Sequence, residues 1–214
     1  MSRTKRSASS DRWKQRQARD PFVKQARVEG YNSRAAYKLI EIDQKDRLLR
    51  GGMTVLDLGA APGSWSQYAK QKVGDKGVVV AVDLLTINTK GVITIQSNIH
   101  DLDILPILHE SDRAGVDLVI SDIAPNITGI KATDDACVLS LLESVLRICG
   151  QALVSNGTLL AKVFEGESVT EFRKMCERQF SKITIRKPRS SRSQSREIYV
   201  LARGFKRIQP IINA

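Results

Sequence analysis

Short apolar runs alternate along most of the chain with segments whose apolar residues recur at helical spacing. The apolar runs predict strands, because their length and bulk suit strands that are covered on both faces. The predicted strands lie near residues 53–58, 77–83, 92–97, 116–122 and 157–164, and the predicted helices near 63–73, 103–110, 131–153 and 167–179. Strands that alternate with helices predict the α/β class, a mostly parallel sheet with helices on both faces.

The last part of the chain departs from this alternation. Two strand-like runs, 182–186 and 197–202, have no helix between them, and serine and arginine dominate the segment that separates them. Such a pair predicts a hairpin, so the last strand of a seven-stranded sheet should run antiparallel to its neighbours.

Two helices are predicted before the first strand of the sheet. The first begins at Pro21 and ends at Gly30, and Asn32 or Ser33 is expected to cap the second. Lys38 falls on this second helix, where the simplest interpretation is a lysine on a solvated face.

The length of 214 residues suits one domain with a full core. We expect a basic and partly disordered arm over residues 1–30, a single main domain over 31–207 and a short tail over 208–214. No apolar run reaches the length of a membrane span, the start lacks the apolar core of a signal peptide, and the three cysteines show no metal or redox spacing. These features predict a cytoplasmic protein with no membrane partner and no metal.

The net charge of +11 is concentrated in two regions. Residues 1–28 contain nine Lys/Arg and two acids, and residues 182–207 contain nine Lys/Arg and only Glu197 as an acid, so the rest of the chain is slightly acidic. Two basic regions on an acidic body are typical of proteins that bind a phosphate backbone. A charge run kept for solubility, or attraction to acidic lipid, is the alternative.

A glycine-rich turn, Gly59-Ala60-Ala61-Pro62-Gly63, follows the first strand of the sheet. Ligands of open α/β sheets bind beyond the carboxyl ends of the strands, where this turn lies. A dinucleotide motif has glycine at the position of Ala61, and Pro62 has no N–H to donate to a phosphate. The turn therefore predicts a site for a nucleoside without phosphate, with an ordinary strand–helix turn as the alternative.

Asp83 ends the second strand, with Leu84 beside it, and is placed to accept hydrogen bonds from a ribose diol. Asn98, after the third strand, could bond an adenine edge, although polar residues are common at strand ends. S-adenosylmethionine fits these features, because it carries an adenosine with free ribose hydroxyls and no phosphate. The two histidines, His100 and His109, have no ligand cluster around them and are expected to be ordinary surface residues.

Asp122 ends the fourth strand and is followed by Ile123-Ala124-Pro125-Asn126. Methyltransferases that act on base amino groups have an aromatic residue at this position, which stacks on a flipped base. This segment contains neither an aromatic residue nor a cysteine that could attack a pyrimidine. Both absences favour a sugar hydroxyl over a base as the target.

Lys162 interrupts an otherwise apolar strand, Thr158 to Phe164. Burying a charged lysine is expensive, and a lysine desolvated beside another cation supplies free amine more readily. Such an amine could take the proton of a ribose 2′-hydroxyl while a methyl group is transferred. A lysine that snorkels from the strand end is an equally good interpretation of this residue alone, and Glu197 by itself indicates a surface partner of Arg196.

Several of these segments resemble one known family in order and spacing. The chain is similar to the bacterial FtsJ/RrmJ-type methyltransferases, which methylate a uridine 2′-hydroxyl in large-subunit ribosomal RNA. The similar segments are 5–10 with 12–13, 33–38, 57–68, 121–122, 124–126, 162–164 and 187–197.

The resemblance implies a Rossmann-like, S-adenosylmethionine-dependent methyltransferase fold with its catalytic domain at 31–207. It implies a Lys-Asp-Lys-Glu tetrad at Lys38, Asp122, Lys162 and Glu197, with Lys162 as the general base. It also implies a methyl-donor site, for which we expect the residues Gly59, Pro62, Gly63, Trp65, Asp83, Leu84, Asn98 and Asp122. The family commonly has Asp where Asn98 stands, and Asn still offers a carbonyl oxygen to the adenine amino group.

The resemblance implies a partner as well, the 23S ribosomal RNA of the large ribosomal subunit. We expect the RNA-binding residues to be Arg34, Lys187, Arg189, Arg192 and Arg196, in a monomeric protein. Three alternatives remain: a ribosome-assembly factor of the same fold that acts by binding RNA, a 2′-O-methyltransferase of transfer RNA, and, disfavoured by the glycine spacing, a dinucleotide-dependent oxidoreductase.

Overall fold

The computed structural model describes residues 20–125, 128–192 and 194–207. Most of the predicted basic arm, residues 1–19, lies outside the described residues, as do Asn126, Ile127, Ser193 and the predicted tail 208–214.

Six helices and seven strands make up the described chain. The helices are α1 (Pro21–Glu29), α2 (Ala36–Asp46), α3 (Ser64–Val73), α4 (Leu105–Glu110), α5 (Lys131–Ala152) and α6 (Glu167–Gln179). The strands are β1 (Thr54–Leu58), β2 (Val78–Asp83), β3 (Ile93–Gln96), β4 (Val116–Ser121), β5 (Leu153–Phe164), β6 (Phe180–Arg186) and β7 (Glu197–Phe205).

All seven strands form one sheet in the order β3-β2-β1-β4-β5-β7-β6. The strands β1 to β5 are parallel, and β7 is antiparallel to both β5 and β6. The predicted fold class and the antiparallel last strand are thus confirmed. The strand order reverses between β1 and β4, so the carboxyl ends of these two strands flank the crevice where open α/β sheets bind ligands.

Two apolar layers cover the sheet. The α5 face is the side packed against α4, α5 and α6, and the α3 face is the side packed against α2 and α3. Side chains alternate between these faces along each strand. In β1, Leu56 and Leu58 point to the α5 face, whereas Val55 points to the α3 face. Asp57 also points to the α3 face, where Ser66 of α3 donates a hydrogen bond to it.

Two predicted strand boundaries are wrong by more than two residues, because β7 continues to Phe205 instead of ending at 202 and β5 begins early. The strand β5 begins at Leu153 rather than at 157, because the end of α5 leads directly into the strand. A register irregularity follows, since Val116 pairs with Leu153 but Leu118 pairs with Thr158. Asn156 and Gly157 lie in this irregularity. Because both residues are typical of turns, the sequence pattern did not predict the first part of the strand.

The predicted cap of α2 is also wrong, because the helix begins at Ala36 and no side chain caps it. Asn32 and Ser33 instead make contacts with the α3 region. Asn32 donates to the carbonyl of Pro62, and the Ser33 hydroxyl lies 2.6 Å from that of Ser64. None of the helices in the described ranges is long and apolar enough to cross a membrane.

Candidate active site

The glycine turn after β1 forms the floor of the crevice between β1 and β4. Gly59 has a φ of 74° and lies so close to Ile123 that an added Cβ would be 2.8 Å from the Ile123 Cα. Gly63 has a φ of 100° at the start of α3. A side chain at either position would be strained, so these two glycines let the chain turn tightly and leave the crevice open.

Asp83 fixes this turn from the neighbouring strand. Its carboxylate accepts hydrogen bonds from the Ala61 N–H and the Leu85 N–H, each 2.9 Å long. A carboxylate has about four acceptor positions, so both oxygens keep lone pairs for a ligand diol. The acid therefore shapes the turn and can still bind a ribose.

A cavity of about 630 Å³ opens beyond this edge of the sheet. Its volume suits a cofactor-sized ligand, and its walls combine aliphatic side chains with a few polar groups. The lining residues include Gly59, Ala61, Asp83, Leu84, Leu85, Ser97, Asn98, His100, Asp122, Ile123, Cys137 and Ser140. The shape and the glycine-lined floor fit a nucleoside such as that of S-adenosylmethionine.

The predicted donor-site residues divide among three places. Gly59, Asp83, Leu84, Asn98 and Asp122 line the large cavity. Pro62 and Trp65 line a second cavity of about 20 Å³, together with Gly59 and Asp122. Gly63 lines neither of these cavities, and its position at the start of α3 gives it a part in shaping the turn.

Strand register brings the candidate reactive groups to the α3 face. Lys162 of β5 lies directly opposite Tyr199 of β7, and Phe164 lies opposite Glu197. Directly opposed residues of antiparallel strands share a face, as do residues two apart along a strand. Lys162, Tyr199 and Glu197 therefore project from the same side of the sheet, toward α2.

The structure brings all four members of the predicted tetrad together. The Lys162 Nζ lies 3.0 Å from Asp122 Oδ1 and also donates to the Asp122 carbonyl. The Lys38 Nζ of α2 lies 2.6 Å from Glu197 Oε1. The Tyr199 hydroxyl lies 3.1 Å from Asp122 Oδ1 and 2.9 Å from Glu197 Oε1, so it joins the two ion pairs.

Burial and charge tune this cluster. Only 8% of the Lys162 side chain and 12% of the Glu197 side chain are exposed. Burial acts to raise the pKa of Glu197, but the charge and hydrogen bond of Lys38, with smaller contributions from Tyr199 and Lys162, outweigh it and leave that pKa below its usual value. Burial, together with the two carboxylates, raises the pKa of Tyr199 far above its usual value, so the phenol keeps its proton.

Asp57 is a second buried acid beside the cluster. Its Oδ2 accepts a 2.6 Å hydrogen bond from Ser66, whereas its Oδ1 has no hydrogen-bond partner among the described residues. Burial raises its pKa to about 7; the charges of Asp122 and Asp83 act in the same direction, and the Ser66 bonds oppose them. This carboxyl therefore changes charge near neutral pH.

Polar contacts help to hold helix α2, which supplies Lys38, on the α3 face. The Trp65 indole donates to the carbonyl of Ala35 over 2.8 Å, and the Tyr68 hydroxyl donates to Asp43 over 2.7 Å. Arg186 of β6 forms two 2.6 Å hydrogen bonds with the carboxylate of Asp46. These contacts fix the distance between Lys38 and Glu197.

Comparison with known proteins identifies the family. The family profile described as FtsJ-like methyltransferase matches residues 31–205. The chain belongs to the FtsJ-like methyltransferase family.

Relatives within the FtsJ-like family are similar over nearly their whole length. A protein of Alkalilimnicola ehrlichii named "Ribosomal RNA large subunit methyltransferase E" is 47% identical over 207 residues, which cover 96% of this chain and 99% of the relative. A protein of the same name from Marinobacter nauticus is 48% identical over 203 residues, covering 94% and 98%.

Solved structures share the methyltransferase fold. A ribosomal RNA methyltransferase of Plasmodium falciparum superposes with a TM-score of 0.73 and 28% identity, covering 82% of this chain and 98% of that one. Fibrillarin of Aeropyrum pernix, crystallised with S-adenosyl-L-methionine, superposes with a TM-score of 0.55 and 15% identity, covering 80% and 75%. The latter identity is low, so this likeness concerns the fold alone.

The predicted RNA-binding residues other than Arg34 lie on the loop 187–196 of this FtsJ-like chain, and three of them contact Glu165 or Asp20. Lys187 lies 3.0 Å from Glu165, and Arg196 donates to the Glu165 carbonyl. Arg192 lies 3.8 Å from Asp20. These basic side chains remain substantially exposed, so a phosphate can compete for them.

Arg34 and Arg189 differ from the other basic residues of this loop region. Arg34 is largely buried and donates to Asp20 and to the carbonyl of Ser190. The Arg189 side chain is exposed. The carboxylate of Glu41 accepts hydrogen bonds from the backbone N–H groups of Arg189 and Ser190. The structure thus places Arg34 beneath the loop and Arg189 on its surface.

Sequence reasoning missed two residues of the site. Tyr199 lies two positions after Glu197 in a strand, and that spacing alone could have placed its ring beside the tetrad. His100, expected to be an ordinary surface residue, is exposed but lines the large cavity. Within the described ranges, no group of three His, Cys, Asp or Glu residues is arranged to hold a metal ion.

Proposed function

We propose that this protein transfers a methyl group from S-adenosylmethionine to the ribose 2′-hydroxyl of a uridine in the 23S ribosomal RNA of the large subunit. The relatives named for methylation of large-subunit ribosomal RNA support the substrate. The observation that carries the reaction is the position of Asp122, which lines the donor cavity and also contacts Lys162. A methyl donor in the cavity and the Lys162 amine would therefore lie on opposite sides of the Asp122 carboxylate.

The donor would be held by the residues that line the large cavity, with Asp83 toward the ribose and Asn98 toward the base. Gly59 would allow close approach, and Pro62, Gly63 and Trp65 would support the turn from behind. When bound, S-adenosylmethionine supplies an electrophilic methyl group on a sulfonium centre.

Lys162 acts in this proposal as the general base at the ribose 2′-oxygen. Its free amine takes the hydroxyl proton as the oxygen becomes a nucleophile, which contributes roughly 10²–10⁴-fold to the rate. Asp122 holds the Lys162 Nζ in place, and Tyr199 and Glu197 connect Asp122 to Lys38. The remaining acceleration comes from fixing the hydroxyl in a site that is sheltered from water.

The RNA would lie along the loop 187–196, where Lys187 and Arg192 exchange their acidic partners for phosphates. Arg196 would give up its bond to the Glu165 carbonyl, and the Arg189 side chain is already exposed. Arg34 would act from below, by keeping Ser190 and the loop in position. We include in the proposal that the protein acts as a monomer in the cytoplasm.

The proposal is tested by methylation of large subunits that lack the modification. Purified protein is incubated with labelled S-adenosylmethionine and with large subunits, naked 23S RNA or transfer RNA, and ribose methylation is mapped along each RNA. We expect one 2′-O-methylated uridine in 23S RNA. Label on a base, label on transfer RNA alone, or no transfer to any of the three RNAs would contradict the proposal.

An assembly role independent of catalysis makes a different prediction in cells. A strain that carries only an inactive variant would then assemble normal large subunits. We expect it to assemble them no better than a strain without the protein.

A further inference from the structure

The loop that follows β3 closes the end of the large cavity beyond Asp83. Asn98 and His100 of this loop line the cavity together with Ser140 of α5. Their side chains are therefore placed to contact the part of a bound nucleoside that extends past the ribose, which is its base.

Helix α5 holds this loop in one conformation. The Arg147 guanidinium donates to the carbonyls of Ile99 over 2.9 Å, His100 over 3.1 Å and Leu102 over 3.3 Å. Three hydrogen bonds from one charged group fix the backbone on both sides of His100. The imidazole is thus presented from a rigid support.

A hydrogen-bond relay sets the tautomer of His100. Its Nδ1 lies 2.8 Å from the hydroxyl of Ser144, and that hydroxyl donates to the carbonyl of Ser140 over 3.1 Å. A serine hydroxyl has a single proton, so when Ser144 donates it to the Ser140 carbonyl, Ser144 accepts the hydrogen bond from His100 Nδ1–H. In the neutral ring the remaining lone pair then lies on Nε2, which is a hydrogen-bond acceptor.

Asn98 can offer a hydrogen-bond donor to the cavity, whereas His100 offers an acceptor. Its Oδ1 accepts the backbone N–H of His100 over 3.1 Å. The oxygen expected to accept from the adenine amino group thus already accepts one hydrogen bond within the loop. No described residue accepts a hydrogen bond from the Asn98 Nδ2, so this N–H group is available to donate to a ligand.

An acceptor and a donor that line the same cavity match the edge of adenine. The 6-amino group of adenine is a donor and the neighbouring ring nitrogens are acceptors. A 6-oxo purine has an acceptor in place of the 6-amino donor. We propose that His100 is a specificity-determining residue for the methyl donor: its Nε2 accepts a hydrogen bond from the adenine 6-amino group while Asn98 Nδ2 donates to an adjacent ring nitrogen. This inference rests on the proposed function.

A cycle of ligand and protein changes tests the contact. The ligands are S-adenosylhomocysteine and its analogue without the 6-amino group, and the proteins are the wild type, His100→Ala and His109→Ala, with dissociation constants measured by calorimetry. The wild type should lose about tenfold in affinity when the amino group is removed, since a group built to pair would be left without its partner. His100→Ala should bind S-adenosylhomocysteine about tenfold more weakly and should no longer distinguish the two ligands.

The second histidine of the chain supplies the control. His109 lies on α4 and does not line the cavity, so His109→Ala should behave as the wild type. Discrimination that persists in His100→Ala, or a wild type that does not discriminate, overturns the inference and leaves the donor assignment intact. A wild type that binds neither ligand refutes the proposed function itself.

Nitrogen chemical shifts of the imidazole give a second measurement that does not depend on affinity. The free protein should show His100 with its proton on Nδ1, and S-adenosylhomocysteine should shift the Nε2 signal as it becomes hydrogen-bonded. The analogue without the amino group should bind without that shift. A proton found on Nε2 in the free protein would overturn the inference.

Discussion

The two faces of the sheet contribute different kinds of chemistry to the same carboxyl edge. On the α5 face, the large cavity is built mainly from turns, backbone groups and aliphatic side chains. On the α3 face, Lys38, Lys162, Glu197 and Tyr199 form a compact polar cluster. Asp122 belongs to both, because it lines the cavity and contacts Lys162.

Under the proposed function, this difference separates donor binding from reaction. A cavity made of backbone needs few special side chains, so single substitutions on the α5 face should act mainly on donor affinity. In the charged cluster each side chain pairs with a specific partner, so substitutions on the α3 face should act mainly on turnover. Three variants examine this division, from the largest expected effect to the smallest.

Lys162→Arg should cause the largest loss. Arginine keeps the positive charge but cannot act as a base at neutral pH, so single-turnover methylation should fall roughly 10²–10⁴-fold. The affinity for S-adenosylhomocysteine should stay within about twofold, because the guanidinium remains on the α3 face. Lys182→Arg, on the exposed edge strand β6, is the matched control, and a normal rate for Lys162→Arg would refute the assignment of the base.

Gly59→Ala should cause the converse effect on the α5 face. The added Cβ would lie 2.8 Å from Ile123 Cα in a backbone with a φ of 74°, so the turn must shift. We expect the affinity for S-adenosylhomocysteine to fall about tenfold, with a smaller change in the rate at saturating donor. Gly51→Ala, where an added Cβ meets nothing within 4 Å, should change neither, and an unaffected affinity in Gly59→Ala would contradict our account of the cavity floor.

Glu197→Gln should alter stability in a way that depends on pH. The pKa of Glu197 is below its ordinary value of 4.5 in the folded protein, so its ionised form stabilises the fold at neutral pH. This contribution is present above the unfolded pKa and is lost as the pH falls through the folded pKa. The variant should be less stable by about 1–2 kcal/mol at neutral pH, and the difference should shrink as the pH falls below 4.5.

Chemical denaturation across this pH range measures the effect of Glu197→Gln. The control is Glu177→Gln on α6. The Glu177 side chain is 56% exposed and its carboxylate lies as far as 3.9 Å from Arg173, so the loss of this weak ion pair should cost well under about 1 kcal/mol. A stability difference for Glu197→Gln that stays constant on acidification would show that the ion pair with Lys38 does not lower its pKa.

The sheet and the glycine turn could be predicted because the information for them is local. Apolar runs and turn residues decide these elements within a few positions, and the crossover rules restrict how the strands can be arranged. The errors at the start of β5 and at the cap of α2 occur where distant partners override local preference. Asn32 and Ser33, for example, bond the α3 region instead of capping their own helix.

The candidate site was predictable only in part, because its members come from distant segments. Parallel register makes neighbours of Asp122 and Lys162, but Lys38 reaches Glu197 only because of how α2 docks on the sheet. Counting charge also could not show that Arg34 is buried under the loop, since its partners Asp20 and Ser190 are tertiary contacts.

The phenol of Tyr199 has one hydrogen and two carboxylates within reach. It can donate to Asp122 or to Glu197, but not to both at the same moment. The acid that is left out must rely more heavily on its own lysine, so the two ion pairs are never electrostatically equivalent. A single rotating bond thereby decides which of the two ammonium groups is held more tightly.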